Sequence, residues 1–359
     1  MTKKIILTGG GTGGSVTPLL AIAEAVQIEM GAEAVEFVWV GSKKGIERVM
    51  VERTNIAYKS VASGKLRRYC SWQNLVDPFL IAYGFVQSFF FLKKERPDLV
   101  MTAGSFVSVP VLWAAKLLKI PTVVHQQDLR PGLANKLMLP CATVITVTFQ
   151  KSLADFGPKS RWLGNPVRQS FVQAEEKIDL QKVNNQDFPT VLILGGGTGA
   201  EAINVLVVEA LTDLNEFCKI VHLTGLNKQT ATSARQKRYE AHDFLNENEM
   251  AAAYLQADLV VTRAGLGVLS ELAYLGKPAL VIPIPNSHQE DNAQYFKEAE
   301  AAIILDQNRL TPEVFAKIVK ESLADKKLIS ELSKNIQGMA NIHANHQFVL
   351  LIKELIKQP

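Results

Sequence analysis

Gly-Gly-Gly-Thr-Gly occurs twice in this chain, at Gly9–Gly13 and at Gly195–Gly199, each time closely behind a short apolar run. The runs are Ile5-Ile6-Leu7 and Val191-Leu192-Ile193-Leu194. An apolar strand that ends in clustered glycines and turns into a helix aims backbone N–H groups at whatever lies above the turn. The helix N-terminus adds partial positive charge, so the chemistry this suits is the holding of a phosphate or diphosphate. Neither copy completes a dinucleotide fingerprint or is followed by Lys-Ser or Lys-Thr, so ATP hydrolysis is not indicated. Two such loops, half a chain apart, predict two similar α/β domains whose loops face one cleft.

Glu271 stands near the start of a predicted helix, after the predicted strand Leu259–Thr262, where a carboxylate can accept sugar hydroxyls or simply face the helix dipole. Gln289 and Asn292 lie three apart, which puts both amides on one face of a helix start. His343 and His346 share that spacing, but without an acidic or cysteine partner nearby they read as surface helix residues. The chain holds no Asp-X-Asp, so a metal bridging a diphosphate has no evident ligands. One stretch joins Lys65-Leu66-Arg67-Arg68-Tyr69 to Trp72, Phe79, Leu80, Tyr83, Phe85 and Phe89–Phe91, closed by Lys93-Lys94. Basic side chains beside aromatic ones suit a surface that meets anionic lipid headgroups. Phe85 and part of Phe89–Phe91 are expected instead to pack this helix against a sheet.

These groups need elements to hold them. At 359 residues the chain is too long for one ordinary core and comfortable for two. Apolar residues at 47% and charged residues at 21% mark a globular chain, and a net charge of +4 is small for a general nucleic-acid binder. Cys70, Cys141 and Cys218 are scattered and odd in number, which fits a reducing compartment and argues against a disulfide scaffold or thiolate zinc site. The start is charged, but its apolar stretch breaks at Thr8-Gly9, too soon for an export signal. No apolar stretch reaches the roughly 18 residues of a membrane span, so a soluble or peripheral protein is expected.

The first half predicts strands at Lys4–Thr8, Val35–Val40, Ala57–Val61, Leu99–Thr102, Thr122–Val124 and Val144–Val147. Between them fall predicted helices at Thr17–Glu29, Lys44–Arg53, Trp72–Lys94, Val107–Leu118 and Gly132–Leu139. Polar Gln173–Asp187 reads as a linker. The second half predicts strands at Val191–Leu194, Ile220–Leu223, Leu259–Thr262, Ala279–Ile284 and Ala302–Leu305, with helices including Ala200–Leu211, Met250–Gln256, Val268–Leu275 and Gln289–Glu300. Helices at Pro312–Leu323, Leu328–Met339 and His346–Ile356 close the chain. This βα alternation predicts parallel sheets covered on both faces, with ligands beyond the carboxyl ends of the strands.

Six segments together carry a resemblance. They are Gly10-Gly11-Thr12-Gly13-Gly14, Gly132-Leu133-Ala134-Asn135-Lys136, Gly164-Asn165-Pro166-Val167-Arg168, Met250-Ala251-Ala252-Ala253-Tyr254, Arg263-Ala264-Gly265 with Ser270-Glu271, and Gln289 with Asn292-Ala293. In register from about Met1 to at least Ile304, the chain resembles the MurG family, which transfers N-acetylglucosamine from UDP-GlcNAc to undecaprenyl-diphospho-MurNAc-pentapeptide in peptidoglycan synthesis. The resemblance implies an α/β protein of GT-B fold: two Rossmann-like, doubly wound parallel-sheet domains separated by a deep cleft. Residues 1–165 would form the acceptor-binding, membrane-associating domain and 166–340 the UDP-GlcNAc domain. A linker is expected at about 170–188, and a C-terminal helix in 341–359 packs back on the first domain.

On the donor side the resemblance gives Glu271 both ribose hydroxyls of the uridine and gives Gln289 and Asn292 the GlcNAc. Arg168 suits the diphosphate, which guanidinium binds in bidentate fashion, and Gly197 and Thr198 of the second loop lie beside it. On the acceptor side it implies that Gly11, Thr12, Gly13, Gly14 and Ser105 hold the lipid diphosphate. Lys65, Arg67, Arg68, Trp72 and Phe79 are expected to meet the anionic cytoplasmic face of the cell membrane.

The chain also departs from the family pattern. The second loop usually reads Gly-Gly-Ser-Gln-Gly-Ala, so Gly197 replaces a serine, and Ser105 replaces a usual glycine. Ser15 stands where a histidine is common, and a serine alone is a poor general base. His125-Gln126-Gln127-Asp128 stands for His-Glu-Gln-Asn, which moves a carboxylate two positions. Asp128 or His125 is the candidate proton acceptor in place of Ser15; the alternative is that departure of UDP dominates the barrier and no strong base is needed. The expected activity is inverting and metal-independent, with no cofactor: transfer of GlcNAc to the 4-hydroxyl of MurNAc in a polyprenyl-diphosphate-linked muramyl peptide. Cell-wall synthesis proteins are expected partners, and nucleic acid is not. The rivals are a GT-B transferase with another lipid acceptor such as diacylglycerol, a UDP-GlcNAc 2-epimerase, and a non-catalytic sugar-nucleotide binder.

Overall fold

The structure, a computed structural model, describes residues 2–64, 73–177, 188–195, 200–225 and 237–357. The chain divides into two compact units, Met1–Arg168 with Ile342–Pro359, and Gln169–Asn341.

The first unit is built on strands β1 (Lys3–Thr8), β2 (Val35–Gly41), β3 (Ala57–Ser60), β4 (Leu99–Thr102), β5 (Thr122–Gln126), β6 (Val144–Val147) and β7 (Ser160–Trp162). They form one parallel sheet in the order β3-β2-β1-β4-β5-β6-β7. Helices α1 (Thr17–Met30), α2 (Ile46–Val51), α3 (Gln73–Glu95), α4 (Ser108–Leu117) and α5 (Leu133–Met138) lie between the strands in sequence. Along β1 the side chains alternate: Ile5 and Leu7 enter one core with Leu19, Ile22 and Trp39, while Ile6 enters the other with Leu92, Val111 and Leu112. A strand buried on both faces reads as an unbroken apolar run, which is why Ile5-Ile6-Leu7 stands out in the sequence.

The second unit begins with helix α6 (Gln169–Lys177), which takes in the first part of the expected linker. Fully buried Phe171 anchors it. Its strands are β8 (Thr190–Leu194), β9 (Lys219–Leu223), β10 (Tyr239–His242), β11 (Leu259–Thr262), β12 (Ala279–Val281) and β13 (Ile303–Ile304), parallel in the order β10-β9-β8-β11-β12-β13. Helices α7 (Glu201–Glu209), α8 (Glu247–Gln256), α9 (Leu266–Leu275), α10 (His288–Glu298), α11 (Pro312–Ala324) and α12 (Lys326–Gln337) complete it. Val191, Ile193, Val261 and Leu280 share a core with Ile203, Val207, Phe315 and Val319.

Helix α13 (Ala344–Lys357) returns to the first unit, burying Phe348, Leu351, Ile352 and Leu355 in the core with α1. The first unit ends at Arg168, three residues beyond the expected boundary. Asn345 explains this: its side chain accepts from the Val167 N–H and donates to the Val167 carbonyl, at 3.0 and 2.8 Å. The two strands that the sequence did not predict, β7 and β10, are both sheet edges. With a neighbour on one side only, an edge strand needs no apolar run.

Candidate active site

In both sheets the strand that precedes a glycine loop is where the strand order reverses. β1 lies between β2 and β4, and β8 lies between β9 and β11. That switch point is where open α/β sheets bind ligands. The second loop's Gly197 and Thr198 lie outside the described residues.

The first loop is fastened from below. The Gly10 N–H donates to Ser15 Oγ at 3.1 Å, and the Ser15 hydroxyl donates back to the Gly10 carbonyl at 3.0 Å. Gly11, at φ +79°, turns its N–H to Glu47 Oε2 at 3.0 Å. Glu47 is fully buried and also accepts from the Ser42 N–H and hydroxyl. A Cβ on Gly10 would overlap the Glu47 carboxylate, so the glycine there admits the acid. The Gly11 N–H is thus engaged by the protein itself, while the residue stays exposed. Ser15 likewise closes the loop, with its hydroxyl engaged by Gly10. The open side is Thr12, exposed, with Gly13 and Gly14, half-buried. A short 3₁₀ turn, Gly13–Ser15, separates the loop from α1.

The carboxyl ends of β1, β4 and β5 are netted together by side chains. Thr8 Oγ1 meets Ser108 Oγ at 3.3 Å, Ser108 Oγ donates to the Gly104 carbonyl at 3.2 Å, and Gln127 Nε2 donates to the Ala103 carbonyl at 3.0 Å. Ser105 keeps the left-handed backbone of a glycine, φ +101°, and so does Gly104. Asn135 on α5 donates to the buried Gln126 side chain, whose Nε2 donates to the Asp128 carbonyl at 2.6 Å. Position 126 is therefore an interior amide that shapes the turn, while Asp128 is half-buried just beyond it.

His125 is fully buried. Its Nε2 faces Asn165 Oδ1 at 2.9 Å and its Nδ1 faces Thr146 Oγ1 at 3.0 Å. Asn165 Oδ1 can only accept, so Nε2 carries the proton and Nδ1 accepts from the Thr146 hydroxyl. The ring meets Phe348 edge-on at 5.3 Å. Burial pushes its pKa down to about 4. The residue expected as proton acceptor thus has both nitrogens occupied and its ring fully buried. It pins Gly164-Asn165-Pro166 to the sheet. Arg168, half-buried, ends the first unit.

In the second unit, Glu271 is the sixth residue of α9, deeper in the helix than its sequence position suggests, because the helix begins directly after the Arg263-Ala264-Gly265 turn. It is buried, and Tyr254 Oη donates to its Oε2 at 3.0 Å. The two amides expected on one face part company. Asn292 is fully buried and donates from Nδ2 to the Ala264 carbonyl at 3.2 Å. Gln289 is half-buried and accepts the Ile284 N–H at 3.1 Å. Arg263, which the sequence offered only as part of a signature, is a buried cation at the carboxyl end of β11. Its Nη1 donates to the Ile282 and Pro283 carbonyls at 3.0 and 3.3 Å, and its buried Nε has no hydrogen-bond partner among the described residues. Burial lowers its pKa below the ordinary value. A cation following directly on an apolar strand was the available signal. Both of these Nη1 partners are backbone carbonyls.

Of the expected membrane residues, Phe79 on α3 is 77% exposed, and Tyr83 and Phe90 on the same helix are exposed too. Phe85, Phe89 and Phe91 pack on the core. Lys65, Arg67, Arg68 and Trp72 lie outside the described residues. Among the described residues no helix is long and apolar enough to cross a membrane.

Comparison with known proteins gives these features a family. Residues 5–147 match the glycosyltransferase family 28 N-terminal domain and residues 190–348 match its C-terminal domain. A Borreliella burgdorferi protein named UDP-N-acetylglucosamine–N-acetylmuramyl-(pentapeptide) pyrophosphoryl-undecaprenol N-acetylglucosamine transferase is 36% identical, over 99% of this chain and 97% of its own. A Legionella pneumophila protein of the same name is 34% identical, again over 99% and 97%. The crystal structure of Acinetobacter baumannii MurG superposes with a TM-score of 0.75 at 25% identity, over 98% of this chain and 99% of that one. A UDP-GlcNAc 2-epimerase from Neisseria meningitidis gives a TM-score of 0.70 at 14% identity over the full length of both, which is a likeness of fold. The chain belongs to glycosyltransferase family 28 and, within it, to the MurG family of N-acetylglucosamine transferases with the GT-B fold.

Proposed function

We propose that this chain transfers N-acetylglucosamine from UDP-GlcNAc to the 4-hydroxyl of MurNAc in a polyprenyl-diphosphate-linked muramyl peptide, with inversion and without a metal, at the cytoplasmic face of the cell membrane. One observation carries the donor assignment. The carboxyl ends of β11 and β12 are knitted by Arg263 to the Ile282–Pro283 carbonyls and by Asn292 to Ala264, immediately ahead of the helix that bears Glu271. Diol acceptor, amide and guanidinium thereby gather at one sheet end. Glu271 accepts the ribose hydroxyls, Gln289 meets the sugar, and Arg168 counters the charge that builds on the departing diphosphate. The acceptor hydroxyl attacks the anomeric carbon from the face opposite UDP, and Asp128 takes its proton. Thr12, Gly13 and Gly14 hold the lipid diphosphate, and exposed Phe79 and Tyr83 meet the membrane. Metal independence is proposed from the sequence, which holds no Asp-X-Asp.

The test is incubation with UDP-GlcNAc, with and without the lipid-linked acceptor, in the presence and absence of a chelator. UDP released only with acceptor, and undiminished by chelation, is the expected result. N-acetylmannosamine formation would make the protein an epimerase instead, and the absence of any product would make it a binder.

A further inference from the structure

Tyr254 closes the signature Met250-Ala251-Ala252-Ala253-Tyr254, yet the proposed reaction gives this residue nothing to do. The structure gives it a partner. Its ring is fully buried, lies against Phe171 of α6 at 5.5 Å between centroids, and sends its hydroxyl to Glu271 Oε2 at 3.0 Å. We propose that Tyr254 is the positioning residue of the nucleoside subsite, fixing the plane of the Glu271 carboxylate so that both oxygens face a vicinal diol. The proposal rests on the reading of Glu271 as the ribose acceptor and deepens it.

The chemistry favours this division of labour. The terminal torsion of a glutamate is broad and roughly two-fold, so a carboxylate left to itself turns easily. A cis-diol has two O–H groups at a fixed separation, and it gains both hydrogen bonds only if the carboxylate plane is already set. A carboxylate offers about four lone-pair directions, so the phenol hydrogen on Oε2 takes one of them and does not by itself close either oxygen to the diol.

The frame behind the phenol is firm. Helix α8 opens with a reciprocal cap, in which Asn246 Oδ1 accepts from the Glu249 N–H and the Glu249 carboxylate accepts from the Asn246 N–H. It ends under Lys277, which follows α9 and donates to the Leu255 and Ala257 carbonyls at 2.7 and 3.0 Å. The helix carrying Tyr254 and the helix carrying Glu271 are therefore clamped together one turn from the pair. Phe171 closes the far side of the ring, so the phenol cannot swing away without opening the core.

The test compares the binding of UDP and 2′-deoxy-UDP by titration calorimetry to the wild type, Tyr254→Phe, Glu271→Ala and the double variant. Tyr254→Phe keeps the ring that packs on Phe171 and removes only the donor. The expected result is a loss of about tenfold in UDP affinity, the scale of one hydrogen bond to a charged group, with 2′-deoxy-UDP changed by less than about twofold. Adding Tyr254→Phe to Glu271→Ala should cost nothing more, because the phenol acts only through that carboxylate. If Glu271→Ala leaves UDP binding intact, or the wild type does not distinguish the two nucleotides, the ribose reading of Glu271 is lost. If Glu271→Ala weakens UDP but Tyr254→Phe does not, the positioning role is lost while that reading stands. The positioning role is equally lost if Tyr254→Phe weakens both nucleotides alike or adds its full effect in the double variant.

Discussion

A proton acceptor for the attacking hydroxyl has to sit where substrate can reach it, and that requirement separates three residues that the sequence leaves together. Ser15 is engaged with Gly10, and His125 is sealed between Thr146 and Asn165. Asp128 is half-buried, at the turn just beyond β5. Changing Asp128 to Asn is expected to lower kcat by roughly 100-fold or more while the KM for UDP-GlcNAc stays within about twofold. Unchanged turnover would show that leaving-group departure alone sets the barrier. The buried histidines govern stability instead. His125 and His222 both have pKa values pushed from 6.5 down to about 4 by burial. Between those limits the unfolded chain takes up protons that the folded chain refuses. The stability their neutral burial provides is complete above pH 6.5 and drains away as pH falls. The loss is about 1.4 kcal/mol per pH unit for each ring, or about 2 kcal/mol each by pH 5. Urea unfolding at pH 7 and pH 5 measures it, and equal midpoints would contradict neutral burial of the two rings.

At the scale of an element, the first glycine loop is held in shape by an acid that no simple motif contains. Glu47 on α2 satisfies donors from Gly11 and Ser42 with no exposure to water. Glu47→Ala strands those donors and should cost about 3 kcal/mol in denaturant unfolding. It should also raise the KM for the lipid acceptor more than that for the donor, since the loop belongs to the first unit. At Ser105, φ +101° is an expensive conformation for any residue with a Cβ. Ser105→Gly should raise stability by about 1 kcal/mol, read as a higher melting temperature. On α3, Phe79 and Tyr83 contribute exposed rings that no core claims. Replacing both with serine should leave unfolding within about 0.5 kcal/mol of wild type. Sedimentation with anionic vesicles should nevertheless fall severalfold, and undiminished sedimentation would move the membrane contact elsewhere.

At the scale of the whole molecule, the chain finishes its first unit last. Phe348, Leu351, Ile352, Leu355 and Ile356 of α13 are buried against α1 and the sheet, and Arg161 pairs with Glu354 at 2.6 Å on the surface. Burying five such side chains contributes on the order of 10 kcal/mol, comparable to the whole stability of a domain. A chain cut after Asn341 is therefore expected to lose the cooperative unfolding of its first unit and become protease-sensitive between residues 1 and 168. Restoring residues 342–359 as a separate peptide should recover part of the protection. A truncated chain that melts like wild type would show that the last helix is dispensable.

Much of this was legible in the sequence. Buried parallel strands write themselves as unbroken apolar runs, so the interior strands of both sheets and the first glycine loop could be placed, and with them the two α/β halves. The six signature segments were enough to indicate the family. Edge strands β7 and β10 were not legible, because half their surroundings are water and polar residues serve there. The sequence alone also determined which residue types stand at Ser15, Gln126 and Asp128. Only the tertiary structure decided which of them face inward: hydrogen-bond partners such as Glu47 for Gly11, Asn165 for His125 and Tyr254 for Glu271 come from 17 to 40 positions away. No local periodicity encodes a partner at that distance, since it is the packing of one element on another that brings the two side chains together.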